Sequence, residues 1–104
     1  MAKNYDSLCP VARTINVIGD VWSVLILREL LENKTVRFQE FQKSLQGIVP
    51  STLSQRLKKL EADKIIHRKI YNEHPVRAVY QLTKKGESLA PVLLALKRWG
   101  EQNP

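Results

Sequence analysis

The sequence predicts a mainly helical α+β fold with a small antiparallel sheet of two or three strands, and three observations carry that expectation. Apolar residues recur at helical spacing along most of the chain. Two β-branched, partly alternating stretches flank the polar turn Asn72-Glu73-His74-Pro75. Glycine and proline fall mostly at the joints between these segments. The chain has 104 residues, 43% of them hydrophobic, which suits a single domain over 1–104 with a modest core. A chain this short leaves apolar surface in water unless a second copy covers it.

The elements follow in order. Pro10 suits the first turn of a helix, and Val11, Ala12, Ile15 and Ile18 follow at helical spacing until Gly19. A second helix spans about Val21 to Leu31. Its run Val24-Leu25-Ile26-Leu27, then Leu30-Leu31, is apolar on nearly all sides, so it should be the most buried element. Thr35-Val36-Arg37 reads as a very short strand. Phe38, Phe41, Gln42 and Leu45 mark a third helix of two turns, closed by Gln46-Gly47. A fourth begins at Pro50 and carries Leu53, Leu57 and Leu60 as one narrow apolar stripe.

Ile65 to Tyr71 and Arg77 to Leu82 then form a hairpin, with Ala78, Tyr80 and Leu82 on one face. Thr83 is a good N-cap for a final helical segment, 84–102, that carries Leu89, Val92, Leu93, Leu96 and Trp99. Pro91 predicts a kink there or a break one turn earlier. The N-terminal helices thus occupy 9–31, and 35–83 holds a helix pair and a hairpin.

Charge localises the function. The formal net charge is +7 and the pI about 9.8. Between Arg56 and Lys85 nine bases stand against three acids, so this span carries +6 of the total. Such a surface favours an anionic partner and can neutralise phosphates, although a merely solvated face would show the same excess. Two short helices joined by a tight turn and followed by a basic hairpin make the layout of a winged helix-turn-helix. The second helix must then lock one face into the core and offer the other to a DNA major groove about 12 Å wide.

With the leucine stripe facing the core, Ser51, Gln55, Lys58 and Ala62 point most directly away, and Thr52, Ser54 and Lys59 lie beside them. Hydroxyls approach phosphates or base edges closely. Gln55 can pair with adenine, and Arg56 with guanine or phosphate. Asn72, His74 and Arg77 cluster at the hairpin tip with Arg68 and Lys69 on its strands, where a wing would follow the backbone or the minor groove.

The ordered set Cys9-Pro10-Val11, Gly19, Trp22, Ile26-Leu27-Arg28-Glu29-Leu30, Arg37-Phe38, Phe41, Gly47-Ile48, Leu53-Ser54-Gln55-Arg56-Leu57, Leu60-Glu61, Asp63, Tyr80, Leu82-Thr83, Gly86 and Arg98-Trp99-Gly100 resembles the HxlR-type winged-helix regulators, relatives of the MarR group. The resemblance covers roughly Cys9 to Gly100. It implies a homodimer whose first and last helices form the interface, and two recognition helices reading a pseudo-palindromic operator with half-sites about 34 Å apart. Three positions depart from the usual pattern: Asp20 in place of a second glycine, Val49 in place of a hydroxyl cap, and Lys64 in place of a helix-ending glycine.

Cys9 stands where some members of that family sense oxidants or electrophiles, just ahead of a helix N-terminus that favours the reactive thiolate. The plainer alternative is a small buried residue at the dimer seam. As the only cysteine it excludes an intrachain disulfide and a cysteine zinc cluster. His67 and His74 have no ligating residues arranged beside them, so no metal and no cofactor is expected. No phosphate-binding glycine loop, paired carboxylates or activated nucleophile suggests an enzyme. No apolar run approaches the roughly 18 residues of a membrane span, and Met1 to Asp6 lacks the apolar stretch of a signal peptide, so a cytoplasmic protein on the nucleoid is expected.

The principal expectation is a sequence-specific regulator bound to double-stranded DNA. A protein-interaction winged helix would instead show an apolar recognition face, and an RNA-binding one exposed aromatics for stacking. Near the wing only Tyr71 is available for that.

Overall fold

The computed structural model describes residues 8–104. The expectation about Met1 to Asp6 lies outside the described residues. The order is α1 (Pro10–Ile18), α2 (Val21–Glu32), α3 (Phe38–Ser44), α4 (Pro50–Ala62), β1 (Ile66–Glu73), β2 (Val76–Leu82), α5 (Lys84–Glu87) and α6 (Ala90–Gln102). This is a winged helix-turn-helix: three helices pack around an apolar centre, and the hairpin projects from it.

The core is built where the periodicity placed it. Ile26, Leu27 and Leu30 of α2, Phe41 of α3, and Leu53, Leu57 and Leu60 of α4 are all buried, and Leu45, Ile65 and Ile66 close the cluster. One face of α2 stays uncovered, however. Val24, Leu25 and Leu31 are only half-buried, and Val21 is exposed. The helix is apolar on more sides than one copy of the chain can cover.

The predicted strand at residues 35–37 reduces to one bridge. Val36 N–H donates to the Tyr80 carbonyl at 3.1 Å, and Tyr80 N–H donates back to Val36 at 2.8 Å. That single exchange ties the start of α3 to the wing. In the hairpin, Ile70 pairs with Ala78 but Asn72 pairs with Arg77, so Tyr71 has no residue opposite it. A bulge of this kind bends the strand and sharpens its twist.

Pro91 breaks the last helical segment one turn early. Its ring cannot follow a continuous helix, so α5 stops at Glu87 and α6 restarts with the proline in its first turn. The junction before it is tightly built. Thr83 Oγ1 accepts from Gly86 N–H at 3.0 Å and donates to the carbonyls of Lys64 (2.6 Å) and Ile65 (3.0 Å). These contacts join the ends of α4 and β2 to α5.

Lys64 has φ +61, the left-handed conformation that its helix-ending position requires. Its N–H bonds to the Glu61 carbonyl at 3.0 Å and that of Ile65 to Leu60 at 2.9 Å, which completes a Schellman turn without the usual glycine. Val49 indeed precedes α4 with no side-chain cap.

Candidate nucleic-acid interface

The turn between α3 and α4 depends on Gly47, whose φ of +88 suits a residue without a Cβ. It sets the N-terminal half of α4 on the surface. Ser51, Gln55 and Lys58 are exposed there and Thr52 and Ser54 half-buried beside them, opposite the fully buried Leu53 and Leu57.

Two expected members of this face lie elsewhere. The Arg56 guanidinium turns toward α2, and its Nε donates to Asp20 Oδ1 at 3.1 Å. The Lys59 ammonium turns toward α1 and donates to the Asn16 carbonyl at 2.8 Å and to Asp63 Oδ2 at 2.7 Å. Arg56 lies about 100° around α4 from Gln55, toward the α1–α2 corner, whereas Lys59, one turn on from Gln55 and itself exposed, reaches that corner through its long side chain. The heads of Arg56, expected at guanine or phosphate, and of Lys59, expected beside the outward face, are thus both engaged within the chain.

Asp20 is the anchor of that corner. It caps α2, with Oδ1 accepting from Ser23 N–H at 2.9 Å and Oδ2 from the Ser23 hydroxyl at 2.7 Å. Burial pushes its carboxyl up, but the two Ser23 hydrogen bonds and the adjacent Arg56 charge outweigh this and hold it below its ordinary value. The position that departs from the usual glycine thus has a structural task.

Every expected wing residue is exposed: Arg68, Lys69, Asn72, His74 and Arg77. Arg68 lies opposite Tyr80, its guanidinium beside the phenol. Burial raises the Tyr80 phenol above its ordinary value and Arg68 opposes that rise.

Arg37 was not among the residues expected near the wing. It precedes α3, and its guanidinium sits beside the Tyr71 hydroxyl and 3.6 Å from Glu40. With Tyr71, Val76 and Arg77 it lines a cleft between α3 and the wing. The long-range Val36–Tyr80 bridge, next to it in sequence, holds Arg37 against the wing. No local pattern signals that.

Of the expected interface residues, Leu89, Val92 and Leu93 pack partly on the chain's own core, whereas Leu96 and Trp99 are 50% and 67% exposed. Leu94, absent from the expectation, is 45% exposed. Cys9 is exposed at the N-cap of α1, its carbonyl accepting from Arg13 N–H at 3.0 Å. Among the described residues no group of three or more His, Cys, Asp or Glu could hold a metal, and no single helix is long and apolar enough to cross a membrane.

A helix-turn-helix followed by a basic wing defines a class of transcriptional regulators, and comparison with known proteins places the chain within it. The chain belongs to the family described as HxlR-like helix-turn-helix, whose model matches residues 17–104. It is 39% identical over 95 residues to the HTH-type transcriptional regulator YybR of Bacillus subtilis, covering 91% of this chain and 75% of that one.

The fold is similar to the oxidized form of the redox regulator HypR, with a TM-score of 0.85 and 38% identity over 92% of this chain and 98% of that one. It is also similar to the reduced form of the transcriptional regulator YodB from B. subtilis, with a TM-score of 0.77 and 32% identity over 91% of this chain and 93% of that one. The protein is accordingly a helix-turn-helix transcriptional regulator and not an enzyme.

Proposed function

We propose that the protein acts in the cytoplasm, on the nucleoid, as a homodimer that binds a pseudo-palindromic double-stranded operator sequence-specifically. The observation that carries this reading is the exposed polar end of α4, Ser51, Gln55 and Lys58 with Thr52 and Ser54 beside them, flanked by the exposed bases of the wing. Gln55 would contact base edges, with the hydroxyls and Lys58 at bases or phosphates. Arg68, Lys69, Asn72, His74 and Arg77 would follow the backbone or minor groove, with Arg37 beside them.

Dimerisation is supported by apolar surface that the single chain leaves in water. Val11 and Ile15 of α1, Val21 of α2, and Leu94, Leu96 and Trp99 of α6 are all exposed. Two apolar grooves along α2 share Val24, Leu25 and Leu96, so the strip is continuous.

A mobility-shift series against the upstream DNA of its own gene tests the proposal. Specific duplex should bind roughly 10³-fold tighter than random duplex, and binding should weaken steeply as salt rises. Equal affinity for both duplexes throughout the series would exclude operator recognition.

A thiol response is a second reading, favoured by the exposure of Cys9 and by similarity to a redox regulator. A lone thiol per chain can form an intersubunit Cys9–Cys9 disulfide, a mixed disulfide, or an alkylated product. Diamide or a quinone should release wild type from DNA, while Cys9→Ser stays bound. Wild type that remains bound after both treatments would refute it.

A further inference from the structure

We infer that Arg56 and Lys59 are positioning residues which fix the angle of α4 against the α1–α2 corner, and that they do not contact DNA. This inference rests on the proposed operator recognition by α4.

Arg56 reaches a carboxylate 36 residues away in sequence, and that carboxylate cannot swing to follow it. Both Asp20 oxygens are already held by Ser23, which is fully buried, and Asp20 is itself the cap of α2. The anchor is therefore rigid, and α4 is tied to the N-terminus of α2.

Lys59 makes the companion tie, 43 residues away in sequence, to the C-terminal turn of α1. The last carbonyls of a helix lack intrahelical donors and carry the negative end of its dipole, so an ammonium is the complementary partner. Asp63, the C-cap of α4, holds the same ammonium from the other side at 2.7 Å.

The two ties grip both sides of the corner from one flank of α4, while Gln55 and Lys58 remain outward. The helix α1 carries the exposed Val11 and Ile15 proposed as part of the dimer seam. The separation of the two α4 helices in a dimer is then set through this corner, and the polar ties decide which operator spacing fits.

The test uses an operator selected by wild type from a random duplex pool, with Asp20→Asn, Arg56→Gln, Lys59→Gln and the Asp20→Asn/Arg56→Gln double variant. Asparagine keeps a cap oxygen for Ser23 and removes the charge that holds Arg56. Each single variant should bind the operator roughly five- to tenfold more weakly, the double variant should be no worse than Arg56→Gln, and the salt dependence should stay that of wild type. Preference for the native spacing over a site with one inserted central base pair should shrink, which a loss of overall stability would not cause.

Asp20→Asn binding like wild type would overturn the inference. So would a salt slope reduced by about one in Arg56→Gln or Lys59→Gln, since that marks a phosphate contact. If Asp20→Asn does not fold, the spacing and salt measurements on Arg56→Gln and Lys59→Gln decide the matter by the same criteria. If wild type selects no operator, it is the regulator reading that fails. The ties are then judged by a thermal double-mutant cycle, where additive losses at Asp20 and Arg56 overturn them and coupled losses support them.

Discussion

Lys64 and Asp20 both stand where the family resemblance leads one to expect glycine, and they have opposite consequences. Lys64 adopts φ +61, a conformation that costs a residue with a Cβ about 1–2 kcal/mol. Its backbone bonds would survive in glycine, so Lys64→Gly should raise stability by about 1 kcal/mol and Tm by roughly 4–8 °C in thermal unfolding, less the entropy glycine adds to the unfolded chain. Asp20 instead contributes through its charge. Its folded carboxyl lies below the ordinary 3.8, so its contribution is complete above that value and is lost as pH falls through the lower folded value. Wild type should therefore exceed Asp20→Asn in Tm near neutrality, and the two melting curves should converge as acid is added.

At the scale of elements, the α4–β1 and β2–α5 junctions form one joint. Gly86 is buried within it, and a Cβ at that position would lie 2.1 Å from the Ile65 carbonyl oxygen. That oxygen already accepts from Thr83 and belongs to backbone held by the Schellman turn, so it cannot withdraw. Gly86→Ala should cost about 2 kcal/mol and lower Tm by roughly 10 °C. Gly100 meets nothing within 4 Å, so Gly100→Ala is the matched control and should leave Tm unchanged or slightly higher. The wing is the element that this joint aims, and a loosened joint should also weaken DNA binding in the mobility-shift assay at temperatures where the chain is still folded.

At the scale of the molecule, the uncovered apolar strip along α1, α2 and α6 is the seam of the proposed dimer. Trp99 is 67% exposed, so a charge there disturbs little within one chain. Trp99→Glu should retain the fold by circular dichroism, sediment as a monomer, and lose preference for a palindrome over a single half-site. Sedimentation as a dimer with palindrome preference intact would remove α6 from the seam.

Much of this architecture was legible in the sequence because its signals are local. Helical and alternating periodicity follow from side-chain direction a few residues apart, which is why the Leu53/Leu57/Leu60 stripe, the hairpin and the break before Pro91 agree with the structure. The family resemblance also marked Lys64 as a helix-ending position where glycine is usual, and its backbone is left-handed. The tertiary structure decided what depends on distant partners: that Arg56 and Lys59 face Asp20 and Asn16 instead of the outward face, and that one Val36–Tyr80 bridge carries Arg37 to the wing. The physical reason is the same in each case. A cation on an amphipathic helix has the same local pattern whether it meets a phosphate or a carboxylate, and only the packing of another element against it selects the partner.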